Sequence, residues 1–182
     1  MAPTQVSELL KRAEFKLNVE CDRILSKDHE PLPLLTEVGL KPRSMIFCCF
    51  DWRVKPEEFL GLTDADGAVL VRTASGTPAR NIPDIAVIDK LLGLTELIVI
   101  KHTDCGATYI TDNDVRDHII KHNPDLTGKL EDFTILATTD IVKRTQLDVE
   151  IIKSSPLIRK ELRDSTSGLL YDIKTGKVTK VV

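Results

Sequence analysis

Three short, almost wholly apolar runs limit how this chain can fold: residues 44–50 (SMIFCCF), 68–71 (AVLV) and 97–100 (LIVI). Successive side chains of a strand point to opposite faces, so a run apolar at every position suits a strand buried on both sides. Between the second and third runs lies IPDIAVIDKLLGL. Its Ile85, Ile88, Leu91 and Leu92 recur at helical spacing, and Gly93 is a good C-terminal stop. Strand, crossover helix, strand is a βαβ unit. The expected fold class is α/β, with a central, mostly parallel β-sheet flanked by helices.

The flanking segments extend this picture. Val6, Leu9, Leu10, Ala13, Leu17 and Leu25 predict a helix over 5–27, which Pro31 and Pro33 end. Residues 107–130 are polar and read mostly as loop, with a short helix at 114–121. Residues 133–137 (FTILA) predict another buried strand. Thr139 or Asp140 is placed to cap a helix running to about 154. Residues 169–173 and 178–182 flank KTGK and predict a terminal β-hairpin. Nothing reads as a repeat or linker. The expectation is one domain over 1–182, with residues 1–30 as an N-terminal helical arm.

The 182 residues carry 42% hydrophobic and 29% charged residues and a net charge of −3. That balance suits a soluble globular protein and gives no reason to expect nucleic acid or an anionic membrane as partner. No apolar run approaches the ~20 residues needed to span a bilayer. The expected location is the cytoplasm, where cysteines are more often buried, metal-binding or catalytic than bridged. The four are Cys21, Cys48, Cys49 and Cys105.

Two short motifs carry the chemistry. Cys49-Phe50-Asp51-Trp52-Arg53 follows the first predicted strand, and His102-Thr103-Asp104-Cys105-Gly106 follows the third. Ligand crevices of parallel sheets lie outside the carboxyl ends of the strands, which is where both motifs fall. Taken singly each motif is weak; their conjunction at two strand ends points to a metal site. Two thiolates and an imidazole suit Zn²⁺, and three protein ligands leave one position open for water, as in catalytic sites. The candidate ligands are Cys49, His102 and Cys105. On an extended segment residues 49, 51 and 53 share a side. Asp51 is then placed to accept a hydrogen bond from water on the metal, and Arg53 to hold Asp51 ionised and off the metal. Cys48 points to the other face and reads as core, Cys21 as core or interface. His118 and His122, at i, i+4, read as a solvated helix face.

With these residues in view, the sequence resembles the β-class carbonic anhydrases, whose pattern is C-x-D-x-R followed some fifty residues later by H-x-x-C-G. The likeness runs from about Ser44 to Tyr109, and the C-terminal LLYDIKTGKVTKVV is similar to the end of the family's short members. The resemblance implies one zinc ion per chain on Cys49, His102 and Cys105, an Asp51–Arg53 dyad, and the Gly106 backbone N–H beside the substrate. It implies a homodimer or homotetramer with the N-terminal helix over a partner subunit. The activity implied is reversible hydration of carbon dioxide to bicarbonate by zinc-bound hydroxide. Relatives of this short subgroup hydrolyse carbonyl sulfide or carbon disulfide, releasing hydrogen sulfide, which is the alternative. A catalytically silent zinc-binding dimer is the third. Two departures bear on the choice: Phe50 and Trp52 stand where the family has small residues, and its R-N-A-G turn appears as Arg72-Thr73-Ala74-Ser75.

Overall fold

The computed structural model describes residues 44–135 and 139–182, all within one compact unit, Leu40–Val182. The predicted helix over 5–27, its terminating loop and Cys21 lie outside the described residues.

The apolar runs become adjacent strands. β1 (Ser44–Cys49) is buried along its whole length and pairs in parallel with β2 (Val69–Thr73) on one side and β3 (Glu96–His102) on the other. β4 (Thr166–Tyr171) runs parallel to β3, and β5 (Val178–Lys180) pairs antiparallel with β4. The order is β2-β1-β3-β4-β5.

Alternation along β1 sorts the core into two clusters. Met45 and Phe47 pack with Leu97, Val99, Ile85, Val149 and Ile152. Ile46 and Cys48 pack on the opposite face with Val54, Ile100, Phe59 and Leu169. The first cluster is built by α2 (Ile82–Leu92), α4 (Ile141–Ser154) and α5 (Lys160–Asp164). The second is closed by the segment around α1 (Pro56–Phe59), where Phe59 stacks on Tyr171 at 4.2 Å between ring centroids. Burying both faces is why β1 can be apolar at every position. Helix α2 ends as expected: Gly93 adopts φ 66, and its N–H donates to the Asp89 carbonyl at 2.8 Å. Asp140 caps α4, its Oδ1 accepting from the Lys143 N–H at 2.9 Å.

Several expectations are corrected. The polar stretch holds a longer helix than predicted, α3 (Asp112–His122), started by a capping box between Thr111 and Asp114. Within the predicted strand over 133–137, Phe133, Thr134 and Ile135 join no sheet, and 136–137 lie outside the described residues. Side chains satisfy that backbone instead: Arg116 donates to the Phe133 carbonyl at 2.7 Å, Arg80 to the Thr134 carbonyl at 2.7 Å, and Asp112 accepts from the Ile135 N–H at 3.0 Å. The place beside β3 belongs to β4, the first strand of the predicted hairpin. That strand starts at Thr166, earlier than expected, and is shared between a parallel and an antiparallel pairing. Helix α5 has no counterpart in the sequence reading.

Candidate metal centre

Strand pairing assembles the site. β1 ends at Cys49 and β3 at His102, and because the two are parallel neighbours their carboxyl ends lie together. Past His102 the chain reverses through Asp104, at φ 56, and brings Cys105 back to the strand ends. There Thr108 donates to the Cys105 carbonyl from its N–H at 2.9 Å and its hydroxyl at 2.7 Å. Cys49, His102 and Cys105 are all buried, and their ligand atoms lie within 4.8 Å of one another.

The donor set fits a metal ion on three counts. The two sulfurs are 3.9 Å apart; on one tetrahedral zinc with bonds of ~2.3 Å they would be separated by about 3.8 Å. The His102 ring is oriented from outside, with Nδ1 2.9 Å from the Thr103 carbonyl. A carbonyl can only accept, so Nδ1 carries the proton and Nε2 presents its lone pair to the sulfurs. Nε2 is buried and has no hydrogen-bond partner, which is costly for a polar atom unless something else binds it.

The thiols differ in proton affinity for visible reasons. The hydrogen bond shared with Cys105 pulls the Cys49 thiol down against the opposing effect of burial, with His102 adding to the fall. The same bond, with burial, pushes Cys105 up. Two sulfurs in contact, sharing one hydrogen bond, make a donor pair that suits a cation. Cys48, on the other face as expected, is pushed up to about 11 chiefly by burial and stays a neutral core thiol.

The Asp51–Arg53 pair forms, but not on an extended segment. After Cys49 the chain turns, and the Arg53 N–H donates to Asp51 Oδ1 at 3.0 Å. The guanidinium meets the same carboxylate through Nε at 2.9 and 3.1 Å and through Nη2 at 2.6 Å. The Arg53 side chain, against the opposing effect of burial, holds the Asp51 pKa down to about 2. Asp51 Oδ2 stands 4.0 Å from His102 Nε2, beside the ligand cluster. Arg72 braces the turn by donating to the Cys49 carbonyl at 3.1 Å and the Val54 carbonyl at 2.8 Å.

A cleft opens over Cys49 and Asp51. Its walls are Phe50, Trp52, Ala74, Ser75, Gly106, Ala107 and Ile110. Phe50 and Trp52 are 65% and 80% exposed at its rim. Ser75 takes the left-handed conformation, φ 58, at the position where a glycine was expected, and its hydroxyl hydrogen-bonds toward Cys105. His118 and His122 lie on the exposed face of α3, rings 4.5 Å apart, and do not join the site. Two contributors escaped the sequence reading, Asp104 and Arg72. An aspartate between two metal ligands, of a type that tolerates left-handed backbone, was the available signal for Asp104.

No family model matches the chain. Among curated proteins it is 28% identical over 136 residues to β-carbonic anhydrase 1 of Mycobacterium tuberculosis, covering 75% of this chain and 80% of that one. It is 31% identical over 159 residues to the carbon disulfide hydrolase of Saccharolobus solfataricus, covering 76% of each. Among solved structures, the carbonic anhydrase of Streptococcus mutans superposes over 100% of both chains with a TM-score of 0.73 at 28% identity. Fold and sequence likeness agree: the chain belongs to the β-carbonic anhydrase family, the one that also includes the carbon disulfide hydrolases.

Proposed function

We propose that this protein catalyses the reversible hydration of carbon dioxide to bicarbonate with one zinc ion per chain. The observation that carries the reading is the buried Cys49–His102–Cys105 cluster with the Asp51–Arg53 pair against it. Cys49 Sγ, Cys105 Sγ and His102 Nε2 would hold the ion. Zinc so bound supplies Lewis acidity and brings the pKa of a water toward about 7, making hydroxide available at neutral pH.

The remaining steps belong to the chain. Asp51, ionised and acceptor-only, takes a hydrogen bond from the attacking oxygen and so turns that oxygen's free lone pair toward the substrate carbon. Arg53 keeps that carboxylate ionised and turned toward the cleft. The Gly106 N–H donates to a substrate oxygen as charge builds on it. Ala74, Ala107 and Ile110 give a linear, uncharged molecule an apolar wall.

A second reading keeps the same residues and exchanges the substrate for carbonyl sulfide or carbon disulfide, with hydrogen sulfide released. The large apolar rim of Phe50 and Trp52 and the 31% identity to a carbon disulfide hydrolase favour it. Exposed Phe50, Trp52 and Tyr109 also support a homodimer or homotetramer, in which such surface would be covered. Among the described residues no helix is long and apolar enough to cross a membrane. A cytoplasmic location and a single functional domain over 1–182 complete the proposal.

One zinc-quantified preparation separates the readings. Carbon dioxide hydration followed by stopped-flow pH change should exceed background in proportion to zinc, and background rates at stoichiometric zinc would end the first reading. Hydrogen sulfide release from carbonyl sulfide or carbon disulfide decides the second. Cys105→Ser should lose most of its zinc and either activity; full zinc content in that variant would contradict the ligand assignment.

A further inference from the structure

Arg53 is gripped from two sides, and only one belongs to Asp51. The Nε and Nη2 edge meets the Asp51 carboxylate. On the far side Nη1 donates to Asp104 Oδ2 at 2.9 Å, and Nη2 donates to the Asp104 carbonyl at 3.1 Å. Asp104 lies between two candidate ligands, His102 and Cys105, on the other motif. Its second carboxylate oxygen is occupied as well, accepting from the Tyr109 hydroxyl at 2.7 Å. At φ 56 the residue turns its carboxylate and its own carbonyl toward the same guanidinium.

A guanidinium is planar, with donors in a fixed fork. Bonded along both edges, it cannot rotate without breaking contacts at each. The Asp104–Arg53 pair is about half open to solvent, with side-chain exposures of 47% and 36%, so as an isolated ion pair it adds little stability. Its consequence is orientation: it ties the turn after β1 to the turn after β3.

We propose that Asp104 is a positioning residue, whose carboxylate and carbonyl lock the Arg53 guanidinium so that Arg53 keeps Asp51 beside the metal position and off the metal. This rests on the Asp51–Arg53 reading given above. With Asp104 removed, Arg53 swings, and a loosened Asp51 competes for the position that substrate chemistry needs.

Asp104→Gly tests it without straining the fold, because glycine accepts a positive φ freely. Asp104→Asn keeps a residue that tolerates the left-handed region and an oxygen for Tyr109, but loses the charge. Arg53→Ala serves as the reference. The zinc-loaded full chain of Asp104→Gly should keep its zinc and lose about tenfold in carbon dioxide hydration, or in hydrogen sulfide release if that is the activity found. Asp104→Asn should fall between it and the unsubstituted protein.

The readout independent of turnover is azide binding to the cobalt(II)-substituted protein, followed by visible absorption. The apparent azide Kd should rise about tenfold in Asp104→Gly, in the same direction as in Arg53→Ala. If Arg53→Ala weakens azide binding while Asp104→Gly titrates like the unsubstituted protein, the positioning role is overturned. Loss of zinc from Asp104→Gly would overturn it too, by making Asp104 a structural support of the ligand loop. If Arg53→Ala itself binds azide and turns over normally, the Asp51–Arg53 reading falls first and this inference falls with it.

Discussion

Ser75 condenses the local physics of the site. It occupies φ 58, ψ 9, a conformation that costs an L-residue roughly 1–2 kcal/mol. Two contacts hold it there: its carbonyl accepts from the buried Lys101 ammonium, and its hydroxyl reaches toward Cys105. Its neighbour Gly76 has no such latitude. At φ +64 a Cβ there would lie 2.9 Å from the Cys48 carbonyl carbon and 3.0 Å from the Ile100 oxygen, so the turn packs directly onto β1 and β3. Ser75→Gly should relieve the strain at the first position. Net of the entropy glycine loses on folding, a gain of about 0.5–1 kcal/mol is expected, read as a raised denaturant midpoint. A lowered midpoint would mean that the hydroxyl contact outweighs the backbone strain.

At the scale of elements, α3 is the clearest case of a helix set by its first residues. No residue of Asp112–His122 is buried, so little packing supports it. The capping box compensates: Thr111 Oγ1 accepts from the Asp114 N–H at 3.1 Å, and Asp114 Oδ2 accepts from the Thr111 N–H at 2.7 Å. The Thr111 hydroxyl, then its N–H, hold the Asp114 pKa below the ordinary aspartate value. A depressed carboxyl pKa contributes stability that is present above the unfolded value of ~3.9 and lost as pH falls through the folded one. The cap should therefore persist from neutral pH to about 4 and fail below it. The residue-111 amide shift in an NMR titration should move with a midpoint under ~3.9, and Thr111→Ala, which keeps the N–H but loses the hydroxyl, should bring that midpoint part of the way back toward ~3.9 at a cost of about 1 kcal/mol.

Across the whole molecule, one buried ionic cluster connects the sheet, a helix and the site. Lys101, on β3 next to His102, is 1% exposed, and its Nζ lies 2.5 Å from Asp148 Oδ2 on α4. Asp148 also accepts from Arg144 and, at 2.9 Å, from the Thr77 hydroxyl. Lys101 in turn holds the Ser75 carbonyl, so the 74–77 turn of the cleft is tied through the core to α4. Burial lowers the Lys101 pKa, opposed by Asp148. Removing one member of such a cluster strands the others without water. Lys101→Met should destabilise the fold by about 3 kcal/mol, measured by equilibrium unfolding, even though methionine fits the apolar path of the lysine stem. An unchanged midpoint would show that Arg144 and Thr77 satisfy Asp148 unaided.

By itself the sequence determined the elements whose signal is local. Runs apolar at every position marked β1 and β3, helical spacing and Gly93 bounded α2, Asp140 started α4, and two short motifs at strand ends named the three candidate ligands. These are readable because a strand's burial, a helix's period and a metal's preferred donors are each written in a few consecutive residues. Tertiary structure decided what depends on competition between distant segments. It seated β4 beside β3 and left 133–135, expected as part of a strand, outside the sheet, its backbone taken up by Arg80, Asp112 and Arg116. It replaced the extended 49–53 segment with a turn, because Asp51 accepts from the Arg53 N–H two residues on. It also joined Asp104 to Arg53 across 51 residues of chain. No local pattern encodes a hydrogen bond whose partners meet only after two parallel strands have brought their ends together.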